Sequence, residues 1–448
     1  MKIDKKFNLE KQEILLGSRI LKNYRTKNRI DYFYKHSEEN YLVKNNILSK
    51  ESFSKKFRDY RNAWNGQPDK IINEFEKNNM SENYSLNESF KPLCLDLELA
   101  SICDLACPHC FREHLATPDK IMSLDLAKKI ILDTIENNIP SIKFNWRGEP
   151  LLHSNLCPLI KFAKDNGVVE TIINTNATNL TEKKGNELIN SGLDYMIYSF
   201  DGGTKKTYEK LRPGRFRENK FEKVIQNIKN FSDLKKKLNV KFPYTKIQMV
   251  LMENNRDEVE SFFEIFDSIV DEVTVTPYQE RGGKLEDLNK TNLDILKKYL
   301  KENNLPKNTP YMIDGEGNLS ISKGRKTCKQ IFQRLLVTFD GKVGMCCNDW
   351  GAQYNLGYLD DLGFNSQKEE EKVMKNVKNN KKGFELLKDI KMPKEYNKPP
   401  KKVSSINEIW NSNELNKVRH KHLLNNLDEI NICEGCNSKD TFIWEKIN

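Results

Sequence analysis

The sequence lacks any long hydrophobic run, and this absence narrows the class of protein. No stretch of its 448 residues approaches the run of about 18 apolar residues that spans a membrane. The first residues, Met1 to Lys6, also lack the apolar core of a secretory signal. We therefore expect no membrane partner and a cytoplasmic location.

A strong charge of one sign is also missing. The 74 basic and 64 acidic residues give a formal net charge of +10, and the two signs alternate along the whole chain. A nucleic-acid surface requires Lys and Arg gathered on one face. The composition therefore argues against nucleic acid as a partner.

Cysteine is sparse, with ten residues, but most of them lie close together in sequence. Without a secretory signal, such spacing indicates metal ligation in a reducing cytosol rather than disulfides. Cys103, Cys107 and Cys110 form C-x3-C-x2-C directly after an alternating apolar run, Leu93 to Leu99, which predicts a strand that leads into a metal loop. Three thiolates suit an iron–sulfur cluster with one open iron, while structural zinc with a distant fourth ligand is the alternative.

A second cysteine set lies near the C-terminus. Between Cys328 and Cys346, residues 335–345 predict a hairpin that turns at Asp340-Gly341 and brings the two thiols to one end. With Cys433 and Cys436 these residues can close either a zinc site or a fully ligated cluster, and spacing does not choose between them.

Three cysteines remain outside these sets. Cys347 adjoins Cys346 and is an alternative ligand to it, although neighbours on a strand point in opposite directions. Cys94 and Cys157 match no ligand spacing, and we interpret them as buried thiols.

Strand-like and helix-like patterns alternate from residue 93 onward. The predicted strands are Leu93–Leu99, Ile142–Trp146, Glu170–Asn174, Tyr195–Phe200, Lys246–Met252 and Glu272–Thr276. The predicted helices between them are Leu124–Glu136, Leu156–Asp165, Glu182–Asn190, Phe221–Phe231 and Val259–Ile269. Repeated βα units predict a parallel sheet in an α/β fold. Residues 1–88 predict a helical extension, from patterns at 11–21 and 52–64.

The first cysteine loop resembles the signature of the radical S-adenosylmethionine (SAM) superfamily, C-x3-C-x-aromatic-C, with His109 in the aromatic slot. The resemblance implies a partial (βα)6 barrel at residues 89–310. It also implies a 4Fe–4S cluster on Cys103, Cys107 and Cys110 that binds SAM at its open iron. Such an enzyme reductively cleaves SAM to a 5′-deoxyadenosyl radical, with a flavodoxin- or ferredoxin-type electron donor.

The same resemblance implies SAM contacts at the strand ends. Arg147-Gly148-Glu149-Pro150 is similar to the family's Gly-Gly-Glu-Pro motif, and it implies that Gly148 and Glu149 bind the amino group of SAM. Asn176 is implied either to contact the cofactor or to cap a turn. The SAM carboxylate or ribose is implied to be held by Ser199 and Arg212, and the alternative for Arg212 is a surface salt bridge.

Residues 311–448 resemble a twitch domain, the shortened SPASM extension that follows some radical SAM barrels. The spacing C-x12-G-x4-C, with a distant C-x2-C, carries this resemblance. It implies one auxiliary 4Fe–4S cluster on Cys328, Cys346, Cys433 and Cys436. Residues 364–402, which are Lys-rich and punctuated by proline, predict an inserted and mostly solvated segment.

The implied function is a radical SAM oxidoreductase that modifies a carbohydrate or another small molecule. A maturase of a ribosomal peptide or of an enzyme is the alternative substrate class. A zinc-stabilised binding protein is the alternative of another kind, since both cysteine sets can close structural sites.

Overall fold

The computed structural model describes residues 29–77, 90–277, 298, 300–305, 311–313, 319–379, 390–434, 436, 438 and 441–447. The helical pattern predicted at residues 11–21 and the boundary between residues 88 and 89 lie outside this part. The boundary between 310 and 311 lies at the edge of it, and both boundaries stay predictions. Within the described part, no helix combines the length and the hydropathy needed to cross a membrane.

A parallel sheet forms the centre of the fold. Its first six strands are β1 (Cys94–Leu97), β2 (Ser141–Lys143), β3 (Glu170–Thr175), β4 (Tyr195–Ser199), β5 (Tyr244–Leu251) and β6 (Glu272–Pro277). They pair in chain order, and every pair is parallel. Intervening helices cover one face of this sheet, as right-handed βα connections require. The predicted α/β fold with a partial (βα)6 barrel is confirmed.

The connecting helices follow the apolar periodicity closely. They are Leu124–Glu136, Leu156–Asp165, Glu182–Asn190, Lys205–Leu211, Phe221–Lys237 and Val259–Phe266. Three of the predicted helices have the predicted bounds. Two of these begin after a capping side chain: Ser123 accepts from the N–H of Leu126, and Thr181 accepts from the N–H of Lys184. The short helix Lys205–Leu211 was not predicted. It begins after Thr204, whose side chain accepts from the N–H of Thr207.

Strand β2 is shorter than the predicted Ile142–Trp146. The Oδ1 atom of Asn145 accepts a hydrogen bond from the N–H of Asn174 (2.8 Å), so a side chain takes the place of a backbone carbonyl in the ladder. The chain leaves the sheet at this point, which frees Trp146 to Glu149 to form a loop.

The C-terminal part extends the same sheet. The predicted hairpin is present as β9 (Arg334–Val337) and β10 (Lys342–Gly344), with β11 (Asn355–Tyr358) beyond it. Strand β9 pairs in parallel with β1, so the full strand order is β11-β10-β9-β1-β2-β3-β4-β5-β6. Strands β7 (Tyr311–Ile313), β8 (Leu319–Arg325) and β12 (Phe442–Ile447) form a separate antiparallel sheet. The C-terminal helices are Ser366–Lys378, Ile406–Trp410, Asn413–Leu423 and Asn431–Glu434.

The N-terminal helices close one end of the barrel. The helices Arg29–Lys35, Tyr41–Lys44 and Lys50–Lys77 share an aromatic core with residues that flank the starts of β4 and β5, including Tyr195, Phe242 and Tyr244. Tyr60 is buried in this core and meets Trp64 edge to face, with ring centroids 6.1 Å apart. The predicted helical extension is therefore confirmed for its described part, and its aromatic pair packs in a core.

The described residues of the segment 364–402 are mostly exposed or half-buried, as predicted, but two apolar side chains are buried. Val373, on the helix Ser366–Lys378, and Ile390 are buried against Ala116. The backbone N–H of Ala116 also donates to the carbonyl of Lys391 (2.7 Å). The few apolar side chains of this Lys-rich segment therefore cover the chain that follows the first cysteine loop.

Candidate active site

The first cysteine loop lies at the C-terminal edge of the parallel sheet. Cys107 is buried, and Cys103 and Cys110 are half-buried. The N–H of Cys110 donates to the carbonyl of Cys107 (2.9 Å), which makes the loop tight. Burial raises the pKa of the Cys103 and Cys107 thiols. A bound metal reverses this effect because it ligates the thiolate form.

Gly148 fits closely beneath this loop. Its φ is +64°, and a Cβ atom there would overlap the carbonyl oxygen of Ala100 and lie 2.6 Å from that of Ile102. The N–H of Glu149 donates to the same Ile102 carbonyl (2.8 Å). The loop after β2 is thereby fixed to the residue before Cys103, and only glycine allows this approach.

The carboxylate of Glu149 is buried and held in one orientation. Its oxygens accept from the N–H of Leu151 (3.0 Å), the hydroxyl of Thr175 (2.7 Å) and the N–H of Asn176 (2.8 Å). Burial, followed by the neighbouring Asp104, raises its pKa to about 7. A buried carboxylate with this pKa favours a cationic partner such as an ammonium group.

Asn176 braces the turn beside Cys103. Its Nδ2 donates to Asp104 (2.8 Å), and its Oδ1 accepts from the N–H of Thr178 (3.0 Å). The hydroxyl of Thr178 donates to the other oxygen of Asp104 (2.6 Å). These contacts show the turn cap that was one of the two predicted roles, and a cofactor contact by Asn176 stays a prediction.

Asp201 joins two other predicted residues. Its buried Oδ2 lies 3.1 Å from His109 Nε2 and accepts from Arg212 Nε (2.8 Å), while Oδ1 accepts from the N–H of Val250 (2.7 Å). Burial acts to raise the pKa of Asp201, but Arg212 and the hydrogen bond from His109 outweigh it and hold this pKa below its usual value. The carboxylate therefore stays ionised and positions both partners.

Arg212 and Ser199 flank this carboxylate. Arg212 is buried, so the alternative of a surface salt bridge is wrong. Ser199 is half-buried at the end of β4, in register with Gln248 on β5. Their contact with SAM stays a prediction. Among the described residues, the Nδ1 atom of His109 is buried without a hydrogen-bond partner.

The second cysteine set is brought together from three segments. Burial, followed by the charges of Cys347 and Cys433, raises the pKa of Cys346 well above its usual value. The pKa of Cys433 is raised in the same way by burial and then by Cys436 and Cys328. Such mutual effects indicate that the four predicted ligands are neighbours. Cys433 is buried, and Cys328, Cys346 and Cys436 are half-buried.

Cys347 also lies in this group, and the structure does not choose between it and Cys346. Its Sγ donates to Gln330 Oε1 (3.0 Å), and its backbone carbonyl accepts from Trp146 Nε1 (3.0 Å). Cys94 and Cys157 are buried thiols, as predicted.

Two residues that the sequence patterns missed hold the Cys433–Cys436 loop. Arg325, at the end of β8, donates to the carbonyls of Cys433 (2.7 Å) and Cys436 (2.7 Å). His422 places Nε2 3.3 Å from Cys433 Sγ. Burial, with Arg325, lowers the pKa of His422 to about 3. Neither residue falls in a local motif with the cysteines, so spacing gave no signal.

The loop after β2 connects the two cysteine groups. Trp146 reaches Cys347, and three residues later Glu149 reaches the Cys103 loop. Arg147, between them, pairs with the buried Glu98 through Nε (2.7 Å) and Nη2 (2.9 Å). The Glu98 carboxylate also accepts from the N–H of Phe339 (3.2 Å).

The donor sets fit iron–sulfur clusters. Both groups offer thiols, three in the first and four or five in the second. Across the described residues, no three His, Cys, Asp or Glu side chains surround a single metal-ion position. Cysteines that hold a 4Fe–4S cluster bind separate iron atoms and do not share such a position.

Comparison with known proteins shows which family the barrel part of the chain matches. Residues 97–266 match the sequence profile of the Radical SAM superfamily. The chain is 34% identical over 110 residues to the tungsten-containing aldehyde ferredoxin oxidoreductase cofactor-modifying protein of Pyrococcus furiosus, covering 24% of this chain and 30% of that protein. It is 25% identical over 170 residues to the GTP 3′,8-cyclase of Chlorobaculum tepidum, covering 38% and 48%. It thus spans less than half the length of either curated relative.

Among solved structures, the complex of BtrN with AdoMet and 2-DOIA superposes with a TM-score of 0.42 at 15% identity, covering 78% of this chain and 94% of BtrN. The profile match confirms a radical SAM domain at residues 97–266. It also confirms the prediction that the domain uses a 4Fe–4S cluster and SAM.

Proposed function

We propose that this chain, which carries a radical SAM domain at residues 97–266, cleaves SAM and abstracts hydrogen from a carbohydrate or another small molecule, which it then oxidises. The observation that carries this proposal is the buried three-thiol loop fixed against Gly148 and Glu149. When bound, the cluster supplies the electron that splits SAM into methionine and a 5′-deoxyadenosyl radical.

The residues around the loop bind and orient SAM. The oriented carboxylate of Glu149 accepts the ammonium group of SAM, and its three hydrogen bonds keep it from turning away. Arg212, positioned by Asp201, offers its remaining N–H donors to the SAM carboxylate or ribose. Ser199 supplies a hydroxyl at the same strand edge. Burial of these groups excludes water from the reacting bond.

The second cysteine group holds one auxiliary 4Fe–4S cluster through Cys328, Cys346, Cys433 and Cys436. Four protein ligands leave no open iron, which favours electron transfer over substrate binding. We propose that a cluster held by these four thiolates would supply an acceptor for the electron that leaves the substrate. The paired substitution Cys433→Ala with Cys436→Ala then abolishes net oxidation while SAM cleavage continues.

The half-buried face of the barrel strands carries polar side chains, and these favour a small polar substrate. Asn174, Ser199 and Gln248 occupy this face of β3, β4 and β5, while alternate residues such as Ile173 and Met249 pack in the core. Amide and hydroxyl groups match the hydrogen-bonding needs of a polyol. The described N-terminal residues, 29–77, form helices that pack against the barrel, so they do not supply a strand-containing peptide module.

Anaerobic reconstitution tests the proposal. We expect about eight irons per chain, from two four-iron clusters, and 5′-deoxyadenosine formation from SAM under reducing conditions. Substituting Cys103, Cys107 and Cys110 together with alanine halves the iron and abolishes 5′-deoxyadenosine, whereas Cys157→Ala, at a thiol outside both groups, keeps both. A colourless protein that binds zinc and releases no 5′-deoxyadenosine would show the zinc-stabilised alternative instead.

A further inference from the structure

His422 is a buried polar residue beside the second cysteine group. It lies on the helix Asn413–Leu423 with 2% of its surface exposed, and its Nε2 is 3.3 Å from Cys433 Sγ. This distance is within the range of a hydrogen bond to sulfur. The side chain lies between a helix and the thiol loop, where water does not reach it.

Backbone contacts hold the ring at this position. The hydroxyl of Thr327, the residue before Cys328, donates to the carbonyl of His422 (3.0 Å). Arg325 holds the Cys433–Cys436 loop from the other side. The helix that carries His422 is thereby tied to one cysteine segment, and its side chain faces another.

The direction of the hydrogen bond follows from the chemistry of the sulfur. A thiolate that ligates iron is only an acceptor, so Nε2 must carry the hydrogen. Nδ1 then has only a lone pair, and among the described residues this buried atom has no hydrogen-bond partner. The sulfur contact is thus the one hydrogen bond of the ring within the part of the chain that the structure describes.

We propose that His422 is a positioning residue that donates a hydrogen bond to Cys433 Sγ and thereby raises the reduction potential of the auxiliary cluster. A donor on a cluster sulfur stabilises the reduced form, which carries one more negative charge. The inference rests on the proposed function only for the existence of that cluster.

The test measures the potential directly. In the full-length chain with Cys103, Cys107 and Cys110 replaced by alanine, the auxiliary cluster is observed alone, and its reduction is followed by electron paramagnetic resonance. The hydrogen bond is stronger in the reduced state, because the sulfur then carries more negative charge. His422→Leu is therefore expected to lower the ratio of reduced to oxidised cluster about tenfold at a fixed potential, which corresponds to about 59 mV for one electron.

Two variants make the test specific. His422→Gln keeps an N–H donor and is expected to recover most of the potential. His420 lies on the same helix, and its ring contacts Phe75 (centroids 5.9 Å apart). The substitution His420→Leu is therefore expected to leave the potential unchanged. Nitrogen hyperfine spectra of the reduced wild type are expected to show a weak coupling that His422→Leu removes.

The inference is overturned if His422→Leu retains four irons with an unchanged potential. It is also overturned if the nitrogen coupling is strong enough for direct ligation, since His422 would then be a ligand. Loss of the iron in both His422→Leu and His422→Gln would overturn it as well, since His422 would then be a ligand or a structural residue. If the proposed function itself is wrong, the second cysteine group binds no iron even when His422 and its cysteines are unchanged, and this result distinguishes the two failures.

Discussion

At the scale of single residues, two positions depart from the expected family motifs, and each is accommodated by a contact distant in sequence. Arg147 replaces a glycine and pairs with Glu98, and His109 replaces an aromatic residue and pairs with Asp201. The sequence identified the cysteines because their spacing is local. It could not identify Glu98, Asp201, Arg325 or His422, because their partners are remote along the chain.

The raised pKa of Glu149 predicts that SAM binding depends on pH. Below about pH 7 the carboxyl group is protonated and cannot pair with the ammonium group of SAM. The affinity of the anaerobically reconstituted protein for SAM should therefore rise as the pH increases from 6 to 8, by up to about tenfold per unit at the acid end. Titration calorimetry at several pH values measures this. Glu149→Gln should bind SAM weakly with a flat profile over this range, and a wild-type profile equally flat would contradict the role of Glu149.

At the scale of elements, periodicity predicted most strands and helices but not all of their partners. The six barrel strands and their order follow from alternation and from short βα connections. The hairpin β9–β10 was predicted from Asp340-Gly341, yet its parallel pairing with β1 was not, because residues about 240 positions apart leave no local signal for it. The Asn145 side chain that ends β2 was missed for the same reason.

The contact between the β2 loop and the cysteine loop predicts different effects of alanine at two glycines. Gly148 and Gly167 both have positive φ, of 64° and 87°, so each alanine pays a backbone penalty of about 1–2 kcal/mol. Only Gly148 is packed against backbone, whereas a Cβ at Gly167 meets no atom within 4 Å. Gly148→Ala should therefore also displace the Cys103 loop and lose the iron bound there. Iron analysis and urea denaturation separate the two effects, and equal iron contents in both variants would contradict the prediction.

At the scale of the whole molecule, the N-terminal helices and the barrel form one structure. Arg29 Nη1 pairs with the buried Glu170 on β3 (2.8 Å), and the hydroxyl of Tyr60 donates to the same carboxylate (3.0 Å). The Arg29 guanidinium also lies over the Tyr195 ring, 4.4 Å from its centroid. Apolar spacing predicted a helical extension but not its docking site, since that site depends on a charge buried within β3.

This pairing predicts a large loss of stability when Arg29 is removed. Arg29→Met leaves Glu170 buried, with the Tyr60 hydroxyl as its one remaining side-chain partner among the described residues. Breaking a buried ion pair from one side costs about 3–5 kcal/mol. Lys55→Met, which breaks the exposed pair with Asp59, should change the free energy of unfolding by less than about 1 kcal/mol. Urea denaturation of both variants measures the difference. Similar values for the two would contradict a structural role for the Arg29 pair.

The place of β9 beside β1 has a consequence for any attempt to divide the chain. The N–H of Leu93 donates to Gln333 (2.7 Å), and the N–H of Glu98 donates to Val337 (2.8 Å), so both ends of β1 depend on the C-terminal part. A fragment that stopped before residue 333 would present an unpaired strand edge to other chains, and such edges recruit neighbours into aggregates. Catalytic work on a minimal version of this enzyme should therefore begin from a chain that retains β9.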